Sequence, residues 1–447
     1  MIYRMNISGE FETISAIITP MGTGGVGAVR ISGADAFEIA KKMFSKNEFE
    51  PGKIAHGWVK DGDEAVDEVI LLPFKAPHSF TGEDVVEFQC HGGIKIVKKI
   101  LDLTLKNGAR MAQRGEFTKR AFLNKKMDLS QAEAVLDLIH AKTDDFARKS
   151  AGNLSGMLSG EIKEIKSGII TLLSRIVAAI DFPEDVSEPK YSEIETEIEK
   201  AVERIENILK GTKASNVMRQ GIKIAIVGRP NVGKSSLFNR LLSLDRAIVT
   251  EIAGTTRDVL QETLDIHGIP ATLIDTAGIH AGEGIDKVEA IGIDYTKKCA
   301  AEADIVLFLF DARKGFTRED KEIYDLIKNK PHLKIATKAD LSRFPLVLNI
   351  STKTGENIEE LKTQITDMVL DSNSLESEFT TNQRQEECLK NCLYSLKTAY
   401  SAANARQLQD LISIDLKSAL MALDELTGEV ITDDILDKIF DNFCIGK

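Results

Sequence analysis

The stretch Lys223-Ile224-Ala225-Ile226-Val227-Gly228-Arg229-Pro230-Asn231-Val232-Gly233-Lys234-Ser235-Ser236 decides the fold class. Its first five residues read as a buried strand, and a helical pattern follows Lys234. Between them, Gly228–Ser235 fits G-x-x-x-x-G-K-[ST], a phosphate-binding loop. Glycines let backbone N–H groups wrap phosphate oxygens, and the helix N-terminus adds positive potential. On this reading Lys234 neutralises β- and γ-phosphate charge, and Ser235 ligates Mg2+.

Downstream strand candidates are Ala271–Ile274, Ile305–Phe310, Leu333–Ala336 and Leu346–Ile350. Helical stretches separate most of them, which is the signature of a parallel, doubly wound sheet. Motifs sit at the strand ends. Asp275-Thr276-Ala277-Gly278 follows one strand, so Asp275 reaches Mg2+ and the Gly278 N–H reaches the γ-phosphate. Thr337-Lys338-Ala339-Asp340 follows another. The Asp340 carboxylate can accept from the N1–H and 2-amino group of guanine. Adenine lacks that donor pair, so the motif selects GTP over ATP. Ser351-Thr352-Lys353 supports the base, and in Gly254-Thr255-Thr256-Arg257-Asp258 the candidate switch threonine on Mg2+ is Thr256. In this order the elements describe a GTPase. Two residues depart from the Ras-like pattern. Thr337 stands where asparagine is usual. Ile279 stands where a glutamine orients the attacking water. Isoleucine cannot hydrogen-bond water, so the hydrolytic residue comes from elsewhere in the chain or from a partner.

The flanks differ. Residues 1 to about 115 read as mixed α/β. A strand is expected at Thr13–Ile18, a glycine-rich turn at Pro20–Gly27, strands at Val66–Leu72 and Asp84–Gln89, and a helix at Ile94–Leu105. Ser130 and Glu133 form an expected capping box. A second helix carries Ile162, Ile165, Ile169, Leu172, Leu173 and Ile176 and stops near Pro183. An acidic third carries Ile194, Ile198, Val202, Ile205 and Leu209. Asp371–Ser374 reads as a linker. Helices return from about 382, with Leu408, Leu411, Ile412, Leu416, Leu420 and Leu423 in helical spacing.

The 447 residues suggest about three domains. With 57 Lys+Arg against 69 Asp+Glu the net charge is −12. That argues against a polycation coating nucleic acid and leaves a local basic patch open. Five cysteines make a disulfide framework improbable and a reducing compartment the expectation. The helical apolar stretch Gly168–Ile180 is too short to span a membrane. Glu10 and Glu12 interrupt any signal peptide, so a cytoplasmic protein is expected. Cys388 and Cys392, four apart on a helix, read as core packing rather than metal ligands. Cys444 lies four from the end, but Gly446 and Lys447 do not suit a prenylation box. His91, followed by two glycines in Cys90-His91-Gly92-Gly93, is open to a structural or a catalytic reading.

These outer motifs carry a resemblance. Gly24-Gly25-Val26-Gly27-Ala28-Val29-Arg30-Ile31-Ser32-Gly33, Ser79-Phe80-Thr81-Gly82-Glu83-Asp84, Cys90–Gly93, Gly115-Glu116-Phe117-Thr118 with Ala121-Phe122-Leu123-Asn124, and Phe443-Cys444-Ile445-Gly446-Lys447 resemble the MnmE/TrmE family of tRNA-modification GTPases over the whole length. The resemblance implies an N-terminal α+β tetrahydrofolate-binding and dimerisation domain at 1–117. It implies a discontinuous helical domain at 118–216 and 377–447, with a Ras-like P-loop G domain inserted at 217–376. It further implies a homodimer that works with the flavoprotein MnmG (GidA). Together they add an aminomethyl or carboxymethylaminomethyl group to C5 of the wobble uridine of certain tRNAs, drawing on a 5-formyl- or 5,10-methylene-tetrahydrofolate. Folate contacts carry over to Arg30, Glu87, Lys126 and Lys447. K+ activation carries over to Asn231, Thr250, Ile252 and Thr255, and the water-orienting role to Glu289. GTP contacts are implied for Asn231, Val232, Gly233, Lys234, Ser235 and Ser236, and for Thr250, Glu251, Ile252, Ala253, Gly254, Thr255 and Thr256. They are also implied for Asp275, Thr276, Ala277 and Gly278, for Thr337, Lys338, Ala339 and Asp340, and for Ser351, Thr352 and Lys353. Catalysis falls to Glu289, Lys234 and Thr256; Mg2+ to Ser235 and Thr256.

Two other classes share the core motifs. A ribosome-assembly GTPase usually carries an RNA-binding module with a G-x-x-G loop after the G domain, and the chain after 382 has none. A dynamin-like membrane GTPase needs an insertion segment, which the sequence does not offer.

Overall fold

Alternation of apolar and polar residues builds the first sheet. The structure, a computed structural model, describes residues 12–46, 48–245, 263–274, 297–370 and 377–447. The chain divides into two units: Met1–Leu136 with Leu154–Ile194 and Tyr394–Lys447, and Asp137–Asn153 with Glu195–Leu393.

In the first unit β1 (Ile14–Ile17), β2 (Gly24–Ser32), β3 (Ala55–Asp61), β4 (Glu64–Phe74), β5 (Val85–Gly92) and β6 (Arg110–Met111) form a sheet in the order β3-β4-β5-β2-β1-β6. Helices α1 (Ala36–Met43) and α2 (Ile94–Lys106) cover one face over a core that includes Val29, Ile31, Val69, Val86 and Phe88. Period two then sends Arg30 and Glu87, paired across β2 and β5, to the opposite face. The expected glycine turn is corrected here: Gly24–Gly27 belongs to β2. These glycines serve close approach. A Cβ on Gly27 would meet Val97 Cγ2 at 2.3 Å, and one on Gly92 would meet the Gly24 carbonyl oxygen at 2.4 Å.

Helix α3 (Glu116–Leu123) carries buried Arg120. Its guanidinium donates to both Glu83 oxygens at 3.2 and 3.1 Å, to Glu116 Oε1 at 2.8 Å and to the Glu12 carbonyl at 2.9 Å. Burial alone would raise the Glu116 carboxyl. The Arg110 guanidinium, the Gln113 N–H and Arg120 outweigh it and hold the group at about 2, below its ordinary 4.5. A carboxyl with a lowered folded-state value contributes its full stabilisation above the free value and loses it as pH falls. Thermal stability should therefore decline between about pH 4.5 and 2, and Glu116→Gln should flatten that slope; an unchanged slope would refute the assignment.

Helix α4 (Leu129–His140) has a cap, though not the expected one. Asp128 Oδ1 accepts from the Gln131 N–H at 3.0 Å, and Gln131 Oε1 accepts from the Asp128 N–H at 3.0 Å. Asp128 and Gln131 thus form the reciprocal box. Ser130 lies inside the helix, where its hydroxyl donates to Asp128 Oδ1 at 2.7 Å. Helices α5 (Asp144–Leu154), α6 (Met157–Asp181), α7 (Tyr191–Lys210) and α8 (Thr212–Gln220) follow. α6 buries Ile162, Ile165, Ile169, Leu172 and Ile176, as its spacing predicts, and α7 buries Ile208 where Leu209 was expected.

The second sheet comprises β7 (Ile222–Val227), β8 (Thr263–Ile266), β9 (Ile269–Ile274), β10 (Ile305–Asp311), β11 (His332–Thr337) and β12 (Leu348–Ile350), in the order β12-β11-β10-β7-β9-β8. All pairs are parallel except β8–β9, which gives the Ras-like, doubly wound arrangement. Helices α9 (Lys234–Asp245), α10 (Arg318–Ile327) and α11 (Ile358–Val369) accompany it. Ile224, Ile226, Leu237, Leu241, Leu307 and Ile335 are among the core residues between sheet and helices. Burial of each is worth roughly 1.5–3 kcal/mol. β12 starts at Leu348 rather than Leu346, which is exposed with φ +63°.

Helices α12 (Gln383–Asn404), α13 (Gln409–Thr427) and α14 (Asp433–Phe440) complete the described chain. α13 buries Ile412, Leu416, Ala419 and Leu423, while Leu408 and Leu411 face outward against expectation. Gln409 turns inward instead and donates to the Pro189 carbonyl at 3.0 Å. Cys388 and Cys392 are buried in α12, and burial pushes the Cys392 thiol up to about 12. The last residues are pinned: Gly115 N–H donates to the Cys444 carbonyl, Phe117 N–H to that of Lys447.

Candidate functional site

The nucleotide-binding candidate lies at the C-terminal edge of the second sheet, where a doubly wound fold places ligands. β7 ends at Val227 and α9 begins at Lys234, so the loop Gly228–Gly233 spans a strand and a helix N-terminus. Three loop positions need a left-handed backbone: Gly228 (φ +155°), Asn231 (+62°) and Gly233 (+103°). Gly228 is also enforced sterically, because a Cβ there would sit 2.3 Å from the Leu309 carbonyl oxygen. Lys234 Nζ donates to the carbonyls of Gly228 at 2.8 Å and Arg229 at 2.9 Å, which holds the ammonium over the loop. Ser235 and Ser236 are exposed at the first turn of α9. Loop, ammonium and hydroxyl fit a magnesium-bound nucleotide triphosphate. Ser235 would supply a hydroxyl to Mg2+, and Lys234 would meet the phosphate oxygens.

The guanine motif is built beside the loop. Ser351 Oγ donates to Asp340 Oδ1 at 2.7 Å, and Ala339 N–H donates to the Ile350 carbonyl at 3.0 Å. The two strand-end segments thereby fix each other, and the Asp340 carboxylate is oriented by the buried Ser351. Thr352 is half-buried and Lys353 exposed. Lys338 Nζ bridges the Asn231 carbonyl at 3.0 Å and Asp311 Oδ2 at 2.7 Å. The Arg313 guanidinium, with Lys338 beside it, holds the Asp311 carboxyl well below the usual carboxylate range. Thr337 Oγ1 donates to the Val232 carbonyl at 2.6 Å. The structure thus brings Asn231–Ser236 together with Thr337–Asp340 and Ser351. Thr250–Thr256, Asp275–Gly278, Ile279 and Glu289 lie outside the described residues.

Sequence reasoning missed the supports. Asp311 is an acid directly ending an apolar strand, a signal that could have flagged it. Arg229 passed as a variable motif position, yet its guanidinium holds Asp320 Oδ1 and Glu319 Oε2, each at 2.7 Å. Asp320 is buried in the capping box that starts α10. Only the tertiary fold joins the loop to that helix.

A second cluster occupies the open face of the first sheet. Arg30 Nε and Glu87 Oε1 are 2.7 Å apart and both are largely buried. The Arg30 guanidinium lies 5.0 Å from the Phe80 ring and 5.4 Å from the Phe117 ring. Lys126 Nζ donates to the Pro77 carbonyl at 2.9 Å, in the same loop that carries Phe80. Lys447 is tied to Phe117 through its backbone. The four expected residues are therefore linked by one loop and one helix. Phe117 is fully buried and backs the arginine, so what the cluster would offer a heterocycle such as a pterin is the hydrogen-bonding edge of the Arg30–Glu87 pair. Near the end of β5, His91 Nδ1 lies 2.7 Å from Asp67 Oδ1.

The model of the MnmE helical domain matches residues 129–444, and that of the GTP-binding protein TrmE N-terminus matches 13–126. The tRNA modification GTPase MnmE of Caldicellulosiruptor saccharolyticus is 45% identical over 98% of this chain and 100% of its own. That of Thermotoga petrophila is 42% identical over the same shares. A crystal structure of Aquifex aeolicus Era aligns over 39% of this chain and 66% of its own at 28% identity, with a TM-score of 0.27. The matches run through both outer parts and the nucleotide-binding part, so the chain belongs to the tRNA modification GTPase MnmE family.

Proposed function

We propose that this chain is a K+-activated, Mg2+-dependent GTPase acting in the cytoplasm as a homodimer. With the flavoprotein MnmG it modifies C5 of the wobble uridine of certain tRNAs, adding an aminomethyl or carboxymethylaminomethyl group. The one-carbon unit comes from a 5-formyl- or 5,10-methylene-tetrahydrofolate held by Arg30, Glu87, Lys126 and Lys447. Residues 1–117 form the folate and dimerisation domain, 118–216 with 377–447 the helical domain, and 217–376 the G domain. The observation carrying this reading is the convergence of the Lys234 loop with Asp340, oriented by Ser351, at one sheet edge.

Chemically, Lys234 would meet phosphate charge, and Ser235 and Thr256, with Asp275 in support, would hold a Mg2+ that supplies further positive charge. Thr276–Gly278 line the γ-phosphate, and Thr352 and Lys353 flank the base. Asn231, with Thr250, Ile252 and Thr255, would hold a monovalent cation, which would supply positive charge where negative charge develops between the β- and γ-phosphates. Glu289 orients the attacking water, a role Ile279 cannot fill. Two measurements test this. GTP turnover should be faster in K+ than in Na+. Glu289→Ala should retain GTP affinity and lose turnover by at least about a hundredfold. Indifference to the cation removes the Asn231 assignment, and parental turnover in Glu289→Ala removes the glutamate's role.

No helix among the described residues is long and apolar enough to cross a membrane.

A further inference from the structure

A cavity of about 270 Å³ opens where β2 begins, apart from the Arg30–Glu87 cluster. Met21, Val26, Ile94 and Val97 wall it, and Gly22 and Gly24 line it with bare backbone. Gly27 has no room for a Cβ, because Val97 stands in the way, but Gly22, Gly24 and Gly25 are not forced in this manner. A Cβ on any of the three would meet nothing beyond its chain neighbours closer than 4.0 Å among the described residues, and none has a left-handed backbone. Glycine weakens a strand. Where neither space nor backbone sign within the chain calls for it, it leaves room for the close approach of something from outside.

The surroundings are chemically two-sided. Met21, Val26 and Ile94 are exposed apolar groups. Beside them, the N–H groups of Gly22 and Thr23 enter no backbone hydrogen bond among the described residues. Lys99 and Lys106 of α2 are both taken by Asp61, at 2.6 and 2.7 Å, but Lys95, next to Ile94, has no carboxylate partner among the described residues. His91 stands opposite Val26 in the β2–β5 register; its Nδ1 lies 2.7 Å from Asp67 Oδ1, which leaves Nε2 open. Apolar walls beside free donors and a cation suit a flat ring that carries an anion. A nucleotide is both, and the proposed substrate is a tRNA, whose anticodon loop presents unstacked bases. The volume suits one base with its ribose and excludes a duplex.

We propose that this cavity holds one unstacked nucleotide of the tRNA. Its base lies against Val26 and Ile94, and its phosphate meets the Gly22–Thr23 backbone with Lys95 as counter-charge. This rests on the reading that the chain itself handles tRNA.

The test is titration of the full chain with total cellular tRNA over a range of salt concentrations. Gly22→Val and Gly24→Val, which fill the cavity, should each weaken tRNA binding about tenfold. Thermal unfolding, GTP turnover without tRNA and affinity for 5-formyl-tetrahydrofolate should stay parental. Lys95→Ala, on an exposed helix surface, should weaken binding about threefold and lower the slope of log affinity against log salt by about one. Parental tRNA affinity in both glycine variants, or a parental slope in Lys95→Ala, overturns the proposal. So does loss of dimerisation in the glycine variants, which would make the cavity an interface between copies. Loss of folate affinity with tRNA binding intact overturns it too, in favour of a folate subsite. Should the glycine variants not fold, the Lys95→Ala slope decides. If the parental chain binds no tRNA, the tRNA reading itself falls; if it binds and the variants match it, only the cavity assignment does.

Discussion

Lys234→Ala should lower GTP and GDP affinity by at least about a hundredfold, while the chain folds as the parent does. The ammonium donates to the loop carbonyls of Gly228 and Arg229 at 2.8 and 2.9 Å. Gly228 and Arg229 are half-buried, so water can take the place of the ammonium and the fold should lose little. A phosphate deprived of the ammonium loses a charge-assisted hydrogen bond worth roughly 1.5–3 kcal/mol, and its partial neutralisation besides. Titration with a fluorescent guanine nucleotide measures the first part, and thermal unfolding without nucleotide the second. Parental affinity in Lys234→Ala would remove the phosphate loop from the account.

The other large effect is on stability. Arg120→Met should destabilise the first unit by roughly 3–5 kcal/mol, the cost of breaking a buried ion network from one side. Arg120 is 2% exposed and ties Glu83 and Glu116 to the Glu12 carbonyl. Methionine fills the volume, strips Glu83 of its cation and leaves Glu116 to Arg110 alone. Glu83 also accepts from Ser32 Oγ at 2.6 Å, so the disturbance reaches β2 beside Arg30. Adding Glu83→Gln should recover part of the loss, because it removes one of the uncompensated charges. Denaturant unfolding of the single and double variants checks this. A loss below about 1 kcal/mol in Arg120→Met would show that the network is incidental.

The nucleotide loop was legible in the sequence because its chemistry tolerates few residue types. Gly228 and Gly233 are required by backbone sign and by space, and Lys234 by charge. The strands β7, β10 and β11 were legible as apolar runs bounded by motifs. The supports of the loop were not. Thr337 read only as a departure from asparagine, since the partner of a hydroxyl is set by tertiary approach; so too with Arg229 and Asp320, which lie 2.7 Å apart across ninety-one positions. The start of α4 was misplaced for a different reason. Asp128-x-x-Gln131 and Ser130-x-x-Glu133 both satisfy the capping pattern, and the geometry that chooses between them is absent from the sequence. The glycines of β2 read as a turn because a close approach to Val97 and to β5 leaves no composition signal of its own. On the open face, pairing of Arg30 with Glu87 follows from strand register, which the sequence of either strand alone does not give.

If GTP turnover by this chain serves wobble-uridine modification, blocking it in cells should show in the tRNA. Nucleoside mass spectrometry of bulk tRNA should be compared between cells whose only copy is parental and cells whose only copy carries Lys234→Ala. Cells carrying Lys234→Ala should lose the 5-aminomethyl and 5-carboxymethylaminomethyl types of wobble uridine, with other tRNA modifications intact. An unchanged nucleoside profile would contradict it and turn attention to ribosome assembly.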